Sequence, residues 1–269
     1  MTDSTRTAPI HGYNLSDAWA RAFLKCFDSP GGVLALGIVS FDIDVGEDYE
    51  LENDCIRQAL NKQLGVSNDI ANPSNIETVA GTIFPESIWK RCGGDRQKLF
   101  TEYEKMWPLV KKCKNNRWGT YFRRLTAFGK TDDQPKVAQL EKIISFWEKG
   151  TRRHSALQAS VFDPHQDHRG TPFMGFPCLQ QVVFHTKGSN GSDGLEVVAF
   201  YANQLLFEKA YGNYLGLCRL GKFMAGEMGL RLTGITCIAS HLKISDSRTT
   251  KGELSSLAEV LKRETSDEQ

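Results

Sequence analysis

The 269-residue chain has no pair of cysteines at CxxC spacing, no long apolar run and no excess of charge of either sign. Its seven cysteines, at 26, 55, 92, 113, 178, 218 and 237, are odd in number and widely spaced. That excludes a disulfide framework and a zinc ribbon, and it points to a reducing compartment. The longest apolar stretch, residues 33–41, falls far short of the roughly 20 residues that a membrane span needs, so no membrane partner is expected. The opening MTDSTRTAPIHGY lacks a basic segment followed by an apolar run, so no secretory leader is expected and the expected location is cytoplasmic. Lys plus Arg is 33 and Asp plus Glu is 32, a formal net charge of +1. This balance lacks the basic excess of a dedicated nucleic-acid binder, and nucleic acid is not the expected partner. It leaves room for a local basic cluster that binds a small anion. No internal repeat or composition shift marks a domain boundary.

What is present is an ordinary globular composition, 40% apolar and 24% charged, at a length that suits one domain with a sizeable core. Apolar residues at 15, 19, 22, 23 and 27 have helical spacing, and Ser29-Pro30-Gly31-Gly32 breaks them. Residues 33–41 read as one buried strand. Helices are expected over 54–64, 75–84 and 99–107, the last stopped before Pro108 because proline removes a helical hydrogen bond. Residues 135–150 give the clearest helix, with Pro135 in its first turn and Gly150 at its stop. Strands are expected over 156–162, 178–186 and 195–201, the last two forming a hairpin, and again over 235–239; a long helix is expected from about 204 to 228. Helices and strands mix without regular βαβ alternation, so the fold class is α+β, a mixed sheet flanked by helices in a single domain. The expected organisation is a loose segment over 1–14, the domain over 15–244, and a polar C-terminal helix or tail over 245–269.

Few residues invite chemistry. Cys178 follows Gly175-Phe176-Pro177 and opens a strand. A thiolate held there by a rigid turn would be a strong nucleophile, and the competing reading is a buried packing cysteine. Arg152-Arg153 stands at the junction of a helix and a strand, where two guanidinium groups can clamp a phosphate or carboxylate or simply form a surface pair. His165 and His168, beside Asp163 and Asp167, fall short of the ligand set zinc requires, so no metal is expected. Lys111, Lys112 and Lys114 read as a solvated surface run.

The order of these residues says more than each alone. Arg152-Arg153, then Val161-Phe162-Asp163-Pro164, then Phe176-Pro177-Cys178 resembles the thymidylate synthase family. That family has an Arg-Arg pair, a strand ending in Asn-Pro or Asp-Pro, and a Pro-Cys that carries the nucleophile. Gln139-Leu140 and Ile143-Ile144 lie where the family has a similar pattern, and the strand ending at His241-Leu242 is similar to its His-Leu strand. Gly119-Thr120-Tyr121 is similar to the family's Gly-Pro-x-Tyr, and Glu77 lies on a helix where the family carries its catalytic glutamate. The resemblance spans about 77–244 and is most specific over 139–178.

It implies a thymidylate synthase-like mixed sheet and a homodimer with shared sites. It also implies one-carbon transfer, methyl or hydroxymethyl, to C5 of a pyrimidine nucleotide or related heterocycle, with a tetrahydrofolate derivative as the implied cofactor. Cys178 would add to C6, Glu77 would organise water and proton transfer, and Tyr121 would assist at C5. Arg152 and Arg153 would reach the phosphate in the neighbouring subunit, and His241 the sugar. The chain departs from the family in several places. Leu179 follows the nucleophile where the family has His, and Ala202-Asn203-Gln204-Leu205-Leu206 replaces Gln-Arg-Ser-x-Asp. Asn203 then offers one neutral hydrogen bond to the phosphate in place of an arginine. The base-reading Asn corresponds to Asn213, or to Tyr214 if the register differs by one, and Lys243 stands where the family has Tyr. Ordinary dUMP methylation is therefore not expected. Two readings remain: a divergent enzyme, or a non-catalytic nucleotide-binding or structural protein on the same fold.

Overall fold

The computed structural model describes residues 9–44, 46, 49–67, 75–116, 119–129, 136–168, 176–188, 194–246 and 249–266. It is a mixed α+β fold. The main sheet has six strands: β1 (Ile10–Gly12), β3 (Gly37–Asp42), β4 (Gln158–Ser160), β5 (Leu179–Lys187), β6 (Gly194–Tyr201) and β8 (Leu232–Ala239). Their spatial order is β1-β3-β8-β6-β5-β4. β1 runs parallel to β3 and β6 parallel to β8, while the other neighbours are antiparallel. The expected β5–β6 hairpin is present, and the middle of its turn lies outside the described residues. A second, three-stranded sheet joins β2 (Val33–Leu34), β9 (Leu242–Lys243) and β7 (Gln204–Leu205).

Alternation along the strands separates two faces. Val182, Phe184, Val197, Ala199, Tyr201, Ile235, Cys237, Val39 and Phe41 point into the core. The opposite face carries Ile38, Val183, Val198 and Ile238, all partly exposed, and Phe200, which is 40% exposed. Two helices pack on the buried face: α1 (Leu15–Asp28) covers β1 and β3, and α9 (Tyr211–Glu227) covers β6 and β8.

Several sequence expectations need correction. The apolar run 33–41 is two strands in two sheets. Leu36 turns outward between them, and Gly37 lies against Leu242, where an added Cβ would come within 2.5 Å. The helix expected to stop before Pro108 is α5 (Arg96–Val110). Pro108 sits near its end and forfeits only the bond to the Glu104 carbonyl, and Lys111 N–H resumes the ladder to Trp107 O at 2.9 Å. The long helix expected from about 204 begins instead as β7, then a π-turn (Leu206–Ala210), and only then α9. The strand expected over 156–162 narrows to β4.

Other expectations stand. Helix α7 (Gln139–Glu148) stops as its sequence suggests. Gly150 takes φ +86°, Thr151 N–H bonds Phe146 O and Gly150 N–H bonds Trp147 O, both at 2.9 Å. Its start needs correction: Pro135 lies outside the described residues, and the helix begins not there but at Gln139, because Val137 exchanges backbone hydrogen bonds with Phe128 at 2.8 and 2.9 Å. Helix α3 (Ile76–Ile83) is capped by the Asn75 side chain. The loose segment expected over 1–14 is corrected at its end: residues 10–12 pair with β3 as β1, and Asn14 caps α1. The polar C-terminal helix, α10 (Ser255–Ser266), packs against α1 and α2 (Asp54–Ser67) and buries Leu257, Ala258 and Leu261, with Leu254 buried just before it. None of the described helices is long and apolar enough to cross a membrane.

Helices α3 and α9 meet almost backbone to backbone. A Cβ at Gly216 would lie 2.8 Å from Ala80 O and 2.9 Å from Ile83 Cβ, whereas one at Gly226 would meet nothing within 4 Å. Gly216→Ala is expected to cost about 1–3 kcal/mol by forcing these helices apart. Gly226→Ala, in the same helix, is expected to be neutral or to stabilise by up to about 1 kcal/mol. Urea denaturation midpoints separate the two, and equal midpoints would disprove the close approach.

Candidate functional site

The carboxyl ends of the parallel pair β6 and β8 meet the start of β5, and backbone hydrogen bonds fix how the chain leaves each strand. Ala202 N–H donates to Cys178 O at 2.9 Å, Ser240 N–H to Tyr201 O at 3.0 Å, and Gln204 N–H to His241 O at 2.9 Å. These bonds gather Cys178, Asn203 and His241 in adjoining turns. The β5–β6 ladder shifts register at Gln180, and the Gln180 carbonyl accepts from both Val161 and Phe162 N–H at 2.8 and 3.1 Å. The Gln180 side-chain amide also bonds Pro177 O. Bulges of this kind commonly re-aim a side chain beside a functional site.

Cys178 keeps solvent access at this corner. Protein atoms packed round its sulfur still desolvate the thiolate and push its pKa up, and Lys209 pulls in the opposite direction. Tyr121 opens α6 (Tyr121–Thr126), whose N-terminus is capped by Thr120. Burial and the neighbouring Cys178 raise the Tyr121 pKa, while the Leu179 and Cys178 backbone and Arg124 oppose the rise. Tyr201 is fully buried, and its pKa is raised by burial first and then by Cys237, Tyr121, Tyr214 and Cys178. Cys178, Tyr121, Tyr201 and Lys209 thus form one interacting group.

Lys209 comes from the π-turn. That turn is pinned by the Trp19 indole N–H, which donates to Leu206 O at 2.9 Å, and by Phe207 N–H, which donates to Ile244 O at 2.8 Å. π-turns often mark functional positions. Burial lowers the Lys209 pKa, while Glu208, Cys178 and Asp246 raise it. Glu208 Oε1 accepts from Ser245 Oγ at 2.6 Å and Asp246 N–H at 3.2 Å, and burial lifts the Glu208 pKa above the usual carboxylate range.

Tyr201 Oη, Asn203 Oδ1, Gln204 Nε2 and Glu208 Oε2 are buried without a hydrogen-bond partner. They are four of the five such side-chain atoms among the described residues. Each costs about 1–3 kcal/mol if left unpaired, and all four come from the segment 201–208 at the carboxyl end of β6.

The remaining candidates lie elsewhere. Glu77 is exposed on α3, paired with Arg57 at 2.5 Å and Arg219 at 2.9 Å. Partial burial would raise its pKa, but Arg219 and Arg57 outweigh it and hold the carboxyl below the usual range. Glu77 lines a cavity of about 440 Å³ with Thr82, Tyr103, Thr120 and Arg219, and Cys178 does not line it. Arg152 lies 3.6 Å over the Trp147 ring and donates to Trp147 O at 2.8 Å, and Arg153 donates to Ser155 Oγ at 2.9 Å. Both precede a turn in which His154 stacks near His185, 5.3 Å between ring centroids. His185 is seven residues along the strand from Cys178, roughly 23 Å at about 3.3 Å per residue. Within one protomer the arginine pair therefore does not meet Cys178.

Asn213 is buried in the first turn of α9. The Tyr214 side chain belongs to the core, with its hydroxyl on Gln204 Oε1 at 3.2 Å and its ring against Phe41. Asp167 is held by Arg124 at 2.6 and 2.7 Å, and His168 packs on Phe162 and Phe176. Among the described residues no group of His, Cys, Asp and Glu is placed to hold a metal ion. Lys209 and Tyr201 escaped sequence reasoning. The available signal was a Glu208-Lys209 pair inside the apolar run 205–217. Compared with known proteins, the chain matches no family model and no curated protein.

These electrostatics set the reactivity of Cys178. Its alkylation by iodoacetamide is expected to rise with pH through a midpoint above the ordinary thiol value of about 8.5. Because Lys209 opposes the upward shift, Lys209→Met should move that midpoint still higher, and Lys209→Arg should leave it near wild type. Peptide mass spectrometry of Cys178 against pH measures this, and an unmoved midpoint in Lys209→Met would show that Lys209 does not act on the thiol.

Proposed function

We propose that this chain is a divergent thymidylate synthase-like protein that transfers a one-carbon unit, methyl or hydroxymethyl, to C5 of a pyrimidine nucleotide or related heterocycle through Cys178. The observation that carries the reading is the placement of Tyr121, Cys178, Asn203 and His241 around the carboxyl ends of β6 and β8, among buried polar atoms that lack partners. The resemblance supplied those four residues from separate parts of the chain. In this reading the Cys178 thiolate adds to C6 of the ring, the ring electrons move to C5, and C5 then attacks the one-carbon electrophile. Tyr121 would then help remove the C5 proton as the carrier's amine departs, and the one-carbon unit would take a hydride from the reduced carrier (giving methyl) or water (giving hydroxymethyl) as the sulfur leaves C6. Asn203 and His241 face the phosphate and sugar, and Asn213 the base. Glu208 Oε2, a buried acceptor without a donor, suits the ring N–H groups of a reduced pterin, so a tetrahydrofolate derivative fits the donor set. When bound, that cofactor would supply the one-carbon unit.

A homodimer belongs to the same proposal. The sheet face bearing Val183, Val198, Phe200 and Ile238 is only partly covered by the chain itself. Pairing through it would let Arg152 and Arg153 serve a neighbouring Cys178, which they do not reach in their own protomer.

Two observations favour the alternative of a non-catalytic nucleotide-binding protein on this fold. The Cys178 thiol is shifted toward its neutral form, and Glu77 is locked between Arg57 and Arg219. One experiment separates the readings. Incubation with a panel of 5-fluoropyrimidine nucleotides is expected to leave a covalent adduct on Cys178, detected by intact mass and peptide mapping and lost in Cys178→Ala. Nucleotide-dependent thermal stabilisation that is equal in wild type and Cys178→Ala, with no adduct, would support the binding protein and overturn covalent catalysis.

A further inference from the structure

A second cavity lies between α5, α6 and the short helix α8 (Pro164–Asp167), with a volume of about 500 Å³. That is within the range of small-molecule sites. Neither Cys178 nor Tyr121 lines it. We propose that it binds a small molecule carrying a phosphate group on an aromatic or apolar body.

The cationic wall carries the argument. Arg123 and Arg124 line the cavity and are more than nine-tenths buried, at 8% and 7% exposure. Arg124 is structural: its terminal nitrogens grip Asp167 at 2.6 and 2.7 Å and the Val161 carbonyl at 2.9 Å. Arg123 is different. Both of its terminal nitrogens bond the Glu104 carboxylate, one of them at 2.9 Å, and its guanidinium lies 5.3 Å from the Trp107 ring centre. A guanidinium has five N–H donors, and the other three find no acceptor among the described residues.

Lys136 leans on the same Glu104 at 2.7 Å. Lys111 also lines the cavity, and its ammonium has no acidic partner among the described residues. One carboxylate, Glu104, thus serves two of the three cations on this wall. The other lining acid, Asp163, already accepts from His165 N–H at 3.0 Å and Gln166 Nε2 at 2.8 Å as the cap of α8. A phosphate between Lys111, Arg123 and Lys136 would find charge-assisted donors without displacing an existing pair. Trp107, Pro108 and Phe128 give the rest of the molecule an apolar wall. Lys111, which the sequence presents as part of a solvated run, is the residue whose role changes.

The test is isothermal titration of the full chain at fixed ionic strength with phenyl phosphate and, separately, inorganic phosphate. Saturable binding of phenyl phosphate is expected, tighter than that of inorganic phosphate because only the former reaches the apolar wall. Lys111→Ala and Lys136→Ala should each weaken it about tenfold, and Asn203→Ala, at the Cys178 corner, should leave it unchanged. Both lysines are partly or fully exposed, so these variants are expected to fold, which thermal unfolding checks. Absence of saturation overturns the proposal. So does equal affinity in the lysine variants, and so does loss of binding in Asn203→Ala alone, which would place the anion at the Cys178 corner. None of these outcomes depends on whether Cys178 forms an adduct.

Discussion

Three backbone hydrogen bonds at one end of the sheet hold the candidate site together: Ala202 to Cys178, Ser240 to Tyr201, and Gln204 to His241. Strands β6 and β8 are parallel and could not be joined by a tight turn. The long α9 connects them, and their carboxyl ends come to rest side by side. The chain then leaves both strands in register, and the second small sheet, β2-β9-β7, continues the pairing just beyond. Every group that gives the corner its chemistry hangs from these connections. Asn203 lies between two of the bonded residues and His241 accepts one of the bonds. Cys178 supplies a carbonyl to another, and Lys209 follows after one pinned π-turn.

The physical character of the corner is desolvation without full pairing. Burial raises the pKa of Cys178, Tyr121, Tyr201 and Glu208 and lowers that of Lys209, so each group moves toward its neutral form. The groups also oppose one another's shifts: Lys209 favours a thiolate, and Cys178 and Glu208 favour an ammonium. A ligand that brings charge or hydrogen bonds into this corner therefore changes the protonation of several groups together. The Glu77 network behaves in the opposite way, because its two arginines satisfy the carboxylate outright.

The outline of the fold was legible in the sequence wherever one periodicity dominated. Helices α1 and α7 and the β5–β6 hairpin followed from apolar spacing and from Gly or Pro at their ends. Misreadings arose where tertiary contacts overrode a local pattern. Residues 33–41 are largely apolar, so little in their pattern reveals that Gly37 must pass against Leu242 and change sheets. Residues 204–210 look helical because they precede a true helix, but the backbone of 204–205 pairs with β9 and the Trp19 indole captures Leu206 O. Of the site, the order of motifs led to Cys178, Tyr121, Asn203 and His241. Lys209 stayed hidden because an isolated charge in an apolar run carries no partner information until the turn that aims it is known.

The arginine pair shows how far one protomer can explain itself. Arg152 and Arg153 drew attention because two adjacent guanidinium groups suit an anion, yet Arg152 is stacked on Trp147 and both sit at the far end of β5 from Cys178. Stacking on Trp147 does not exhaust a guanidinium, since Arg152 uses only one terminal nitrogen, on the carbonyls of Trp147 and Thr151. The partly exposed sheet face offers a route by which a second copy could bring that end of the strand toward another corner. The Arg123 wall needs no such help, because its lysines, its buried guanidinium and its aromatic neighbours converge within one chain. The two basic features are therefore different in kind: the cavity can be occupied by the monomer, whereas Arg152 and Arg153 can serve Cys178 only across an interface.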